Sequence, residues 1–144
     1  MQNYILIVGL MAAFTFFLID KNLLPGTLIA KKQIMQRFQI NKQKDAQLRS
    51  EFEDIVSLYN AWTLNAFPDN DVTYEEYLDL LNQKSTMEYA EIEFEALRSR
   101  RLNRRETSDY IEKIKGQEDA IDALKADLVF QKKNFKVITL MAAS

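Results

Sequence analysis

The sequence predicts an all-α protein in which a single N-terminal transmembrane helix precedes an elongated, coiled-coil-like helical body. Only 3 Gly and 2 Pro occur in 144 residues, which argues against a turn-rich β sandwich or barrel. The chain opens with an uncharged stretch, after which apolar residues recur at spacings of three and four. The net charge of -2 gives no global reason to expect nucleic-acid binding.

The transmembrane helix is predicted over residues 4–24. Residues 4–19 carry no charge and span about 24 Å as a helix, somewhat short of a hydrocarbon core of about 30 Å. Lys21 can reach the headgroups and let Leu23 and Leu24 share the boundary. A signal peptide fits less well because no Lys or Arg precedes the apolar run. A buried core helix seldom stays uncharged on every face.

The charges that flank this stretch predict its orientation. Cationic residues outnumber acidic ones after it, which places the C-terminal body on the cytoplasmic side, or its topological equivalent, and the N-terminus outside. The cations are Lys21, Lys31, Lys32, Arg37, Lys42, Lys44 and Arg49, against Asp20 and Asp45.

Small residues at Gly9 and Ala13 share one face of the predicted transmembrane helix. Their spacing of four lets a second membrane helix approach closely, so we expect a helix–helix contact there. The alternative is that Gly and Ala are simply common in membrane spans.

A long amphipathic helix is predicted over residues 27–67. Its apolar positions fall in one heptad register, in which Asn41 and Asp45 occupy two vacant positions. Pro68 forbids continuation of the helix. This stripe, which we call the seam, must be covered by the later helices, by a second copy or by another subunit. The seam, whose residues are the candidate contacts with a partner, consists of Ile34, Phe38, Leu48, Phe52, Ile55, Tyr59 and Trp62.

Residues 68–144 are predicted to form three further helices, at about 74–83, 86–106 and 109–140. Thr73 with Glu76, and Ser85 with Glu88, match the capping box that opens a helix. The last helix shows apolar residues that recur every seven positions, namely Ile114, Ile121, Leu128 and Phe135.

Five arginines lie within eight residues: Arg98, Arg100, Arg101, Arg104 and Arg105. One interpretation is a contact with anionic lipid or an acidic partner. The other is that they are solvated or paired within the chain, because bases near the C-terminal end of a helix also suit its dipole. No aromatic residues alternate with them as in base-stacking proteins, so specific nucleic-acid recognition is not expected.

The residue inventory disfavours catalysis. Without Cys or His the chain lacks the usual metal ligands and nucleophile–base pairs. The acidic turn that begins at Asp69 does not match a calcium loop, because Tyr74 occupies the position of the required glycine. Paired carboxylates on the predicted helices are assigned to solvated faces. We therefore expect no catalytic site, metal or cofactor.

These observations predict a membrane-anchored scaffold or accessory structural subunit, with the lipid bilayer and other subunits, or further copies of itself, as partners. One alternative is a phage-type membrane protein, either a virion linker between membrane and shell or a lysis protein. The chain resembles the spanin-like lysis proteins in gross plan alone, with one N-terminal span and a helical stalk. An anchored enzyme that uses carboxylates is a third alternative.

Overall fold

The computed structural model describes residues 25–142, with side chains for residues 28–137. The helices are α1 (Pro25–Leu58), α2 (Tyr74–Glu88), α3 (Glu91–Ser99) and α4 (Arg104–Ala142). Apart from an isolated bridge between Asn65 and Thr73, this part of the chain has no β structure, so the all-α prediction is confirmed. No helix within residues 25–142 has a stretch long and apolar enough to cross a membrane. The transmembrane segment predicted over residues 4–24, with Gly9 and Ala13, lies outside the described residues.

The two long helices run parallel to each other. Arg37 on α1 pairs with Glu118 on α4, and Glu51, fourteen residues further along α1, pairs with Lys132, fourteen residues further along α4. The chain returns between them through α2 and α3, which run in the opposite direction. The result is a three-segment bundle in which the third segment points the same way as the first.

Helix α1 ends at Leu58, nine residues before the predicted end at 67. Asn60 adopts a positive φ of 49°, and its N–H donates to the carbonyl of Ser57 while the N–H of Ala61 donates to the carbonyl of Val56. This hydrogen-bond pattern is the Schellman motif, in which a left-handed residue closes a helix. The prediction took Pro68 as the stop signal and missed Asn60.

The bounds of α2 and α3 also differ from the prediction. The capping box at Thr73 and Glu76 is present and opens α2. The second predicted box does not open a helix, because Ser85 lies inside α2 and its hydroxyl donates to Asp45 at 2.6 Å. Helix α2 therefore continues to Glu88, and α3 covers only Glu91–Ser99 of the predicted 86–106.

Helix α4 begins five residues before the predicted position. The side chain of Asn103 accepts from the N–H of Glu106, and the Glu106 carboxylate accepts from the N–H of Asn103. This reciprocal pair is a capping box formed by residues that the sequence analysis did not select. Within α4 the predicted heptad residues Ile114, Ile121, Leu128 and Phe135 are all buried.

The chain's own helices cover the seam. Ile34, Phe38 and Phe52 are buried, Leu48, Ile55 and Trp62 are partly buried, and Tyr59 stacks on Phe135 with ring centroids 4.7 Å apart. Of the three ways in which the seam could be covered, the described residues use the later helices of the same chain. Two apolar clusters result, one around Phe38 at the end where α1 begins and one around Phe52 towards the opposite end.

Candidate functional site

The five arginines form an exposed corner between α3 and α4, which we call the arginine corner. The turn that carries them is held by Leu102, which is 3% exposed and packs in the apolar cluster around Phe38. Lys31 on α1 fixes the turn from the other side, since its ammonium donates to the carbonyls of Arg98 at 2.9 Å and Arg100 at 2.5 Å. The corner therefore sits beside the beginning of α1.

Two of the five arginines are paired within the chain. Arg98 contacts Glu95 at 3.3 Å, and Arg100 pairs with Glu106. The backbone N–H of Asn103 and, to a lesser extent, the guanidinium of Arg100 lower the pKa of Glu106 below its usual value. The remaining three, Arg101, Arg104 and Arg105, are exposed and make no ion pair with any described residue. The intrachain-pairing interpretation therefore accounts for only part of the corner.

The helix dipole does not account for the unpaired arginines either. The helix predicted over 86–106 has all five near its C-terminal end, where positive charge is favourable. In the structure only Arg98 lies in the last turn of α3. Arg104 and Arg105 instead lie in the first turn of α4, where a cation faces the positive end of the dipole and is disfavoured. This position lowers the stability of the fold. It therefore favours a contact of these arginines with another molecule over a structural role within the bundle.

A band of polar side chains, the polar belt, separates the two apolar clusters. Asn41 on α1 donates to Gln117 on α4 at 3.4 Å, and Gln117 donates to Glu88 on α2 at 3.1 Å. Asp45 accepts from Ser85 and, at 2.8 Å, from Arg49. The sequence analysis singled out Asn41 and Asp45 as polar residues in the seam. Their partners come from distant segments, so the sequence pattern alone did not identify them.

A groove of about 320 Å³ opens over the polar belt, between α2 and α4. Small residues make it open, since Gly116 and Ala120 line its α4 wall and a Cβ added to Gly116 meets nothing within 4 Å. Tyr89 lies at its edge, where burial, reinforced by Asp45, raises the pKa of its hydroxyl well above the usual value. The phenol therefore stays neutral at physiological pH.

The buried atoms of the polar belt are hydrogen-bonded. Each buried side-chain N or O atom of the belt has a hydrogen-bond partner, as do all such atoms of the described residues. The same part of the chain contains no group of three acidic residues placed to hold a metal ion. The candidate functional site is therefore the arginine corner, where three of the five guanidinium groups are exposed and make no ion pair with any residue from 25 to 142. No protein-family model, curated protein or solved structure matches this chain.

Proposed function

We propose that this protein is a membrane-anchored helical scaffold whose bundle holds other subunits at a set position relative to a bilayer. The observation that carries the proposal is the hydrogen bonding of the bundle's interior, where every buried polar side-chain atom of the described residues has a partner within the protein. Such an interior defines one rigid shape without reserving a group for a substrate. A rigid rod that follows an uncharged stretch of sequence suits positioning better than chemistry.

The dimensions of the bundle support this proposal. Helix α1 has 34 residues, which corresponds to about 50 Å at the helical rise. Because the chain covers its own seam, the bundle does not need a partner helix to complete the core, and partners would bind its outer faces. This differs from the expectation that the seam itself forms the partner contact.

Membrane anchoring is tested by placing charge in the uncharged stretch. Leu10→Asp with Phe14→Asp puts two carboxylates where each costs about 3 kcal/mol in a bilayer. We expect the full chain to float with phosphatidylcholine vesicles and to resist alkaline carbonate extraction, and the double variant to lose both properties. Gln2→Asp with Thr27→Asp adds the same charge just outside residues 4–24 and should change neither. Equal behaviour of the two variants would refute the anchor.

Topology and assembly are tested in native membranes. A reporter fused at Ser144 is expected on the cytoplasmic side, whereas the spanin-like alternative requires the other side. Chemical cross-linking in the same membranes should give adducts that are heavier than the monomer. An exclusively monomeric protein, whatever its topology, would contradict the scaffold.

A further inference from the structure

Positive charge is concentrated at one end of the bundle. Around the arginine corner, seven cationic residues face three carboxylates, although the chain as a whole has a net charge of -2. The remainder of the chain is therefore acidic. The cations are Lys31, Lys32, Arg98, Arg100, Arg101, Arg104 and Arg105, and the carboxylates are those of Glu95, Glu106 and Asp109.

This basic end is also the end at which the chain leaves the uncharged stretch. Lys31 touches the arginine corner through two backbone carbonyls and lies six residues after Pro25. Six helical residues correspond to about 9 Å along α1, which is close to the Debye length of about 8 Å at physiological ionic strength. If residues 4–24 span a bilayer, the unpaired arginines lie within electrostatic range of its surface.

We propose that the arginine corner binds the headgroups of anionic phospholipids and thereby holds the bundle upright on the membrane. The inference rests on the proposed anchor. Guanidinium groups bind phosphate oxygens with two parallel hydrogen bonds, and Arg101, Arg104 and Arg105 are exposed and pair with none of the described residues. An anionic surface attracts this end and repels the acidic remainder, so the two effects orient the bundle in the same direction.

The orientation is measured on the full chain in vesicles. Because the chain has no cysteine, a single probe can be attached through Ser108→Cys beside the corner or Thr63→Cys beyond the end of α1. Energy transfer to a labelled lipid should be higher from position 108 than from position 63. It should rise at position 108 when phosphatidylglycerol is added to phosphatidylcholine, and fall again in high salt.

The matched variants remove three charges from different places. Arg101→Gln, Arg104→Gln and Arg105→Gln should abolish the response to phosphatidylglycerol at position 108. Lys125→Gln, Lys133→Gln and Lys136→Gln remove equal charge from exposed positions further along α4 and should leave it intact. Circular dichroism checks that both triple variants fold. If the response is absent, or is the same in both variants, lipid binding is refuted and an acidic protein or a nucleic acid becomes the better partner.

Failure of the anchor gives a different result from failure of the corner. With Leu10→Asp and Phe14→Asp present, flotation on phosphatidylglycerol vesicles depends on the corner alone. Each basic residue contributes about fivefold to binding, so the three Gln substitutions should weaken it about 100-fold. If the unaltered chain does not float on neutral vesicles, the proposed anchor is refuted. The arginine corner is then still tested by comparing the unaltered chain with the triple Gln variant on phosphatidylglycerol vesicles, where the same 100-fold difference is expected. A loss below threefold would overturn the proposal.

Discussion

The most informative single substitution is Gln131→Leu, because Gln131 joins three segments in the buried interior. It is 1% exposed, its carbonyl accepts from the Tyr74 hydroxyl at 2.5 Å, and its amide donates to the carbonyl of Ala66 at 2.6 Å. Leucine has a similar size but leaves both partners buried without a hydrogen bond. Each such group costs about 1–3 kcal/mol, part of which the apolar side chain recovers. We expect a net loss of about 2–4 kcal/mol in the free energy of unfolding.

Urea unfolding followed by circular dichroism, in micelles that accommodate the apolar N-terminal stretch, measures this loss. In thermal unfolding it corresponds to a fall in Tm of about 6–12 °C for a chain of this size. Gln43→Leu is the matched control, because Gln43 is exposed on α1, and its effect should stay within about 0.5 kcal/mol.

A double-mutant cycle with Tyr74→Phe separates the hydrogen bond from general packing effects. Because the double variant removes donor and acceptor together, it should cost about 1 kcal/mol less than the sum of the two single variants. Strict additivity, or a Gln131→Leu variant as stable as Gln43→Leu, would refute the claim that Gln131 bridges the three segments.

Substitutions at four further positions test other parts of the structure by the same unfolding measurement. Gly116→Ala should raise the free energy of unfolding by about 0.5–1 kcal/mol, since the added methyl enters open space on a helix; a loss would contradict the open groove. Asn60→Ala should lower the free energy of unfolding by about 1 kcal/mol and Asn60→Gly should leave it almost unchanged, because the position requires a positive φ. Equal losses in the two variants would contradict this requirement. Phe52→Lys should prevent stable folding, because Phe52 is 1% exposed between the rings of Tyr74 and Tyr77, and a native dichroism spectrum would contradict its burial. Burial, together with Asp127, raises the pKa of Tyr77 above its usual value of 10, so the folded state keeps a proton that the unfolded state loses. The free energy of unfolding should therefore fall as the pH rises above about 10. Tyr77→Phe should reduce this decline, and an unchanged pH profile would refute the raised pKa of Tyr77.

Elements with strong local signals could be predicted from the sequence. The capping box at Thr73 needs only residues within one turn, and the repeat from Ile114 to Phe135 needs only one side of one helix. Both are found in the structure. The box at Asn103 and Glu106 is equally local, although the helix was predicted to begin only at residue 109.

Other features depend on contacts between distant segments. Ser85 was predicted to begin a helix, but its hydroxyl donates a hydrogen bond to Asp45, forty residues away in the sequence. This contact keeps Ser85 inside α2. The early end of α1 depends on Asn60, whose left-handed conformation is not apparent from the apolar pattern around it. The five arginines are adjacent in the sequence, but their place beside Lys31 follows only from the way the bundle closes.

The parallel arrangement of α1 and α4 has a mechanical consequence. Tension applied between the beginning of α1 and the end of α4 acts along both helices and tends to slide one past the other. This sliding strains the ion pairs, the hydrogen bonds of the buried Gln117 and Gln131, and both apolar clusters at the same time. In a helical hairpin pulled apart from one end, by contrast, the contacts would break one after another. Resistance to force is governed by the rate of unfolding, so this geometry makes the bundle resist a pull that is applied along its long axis.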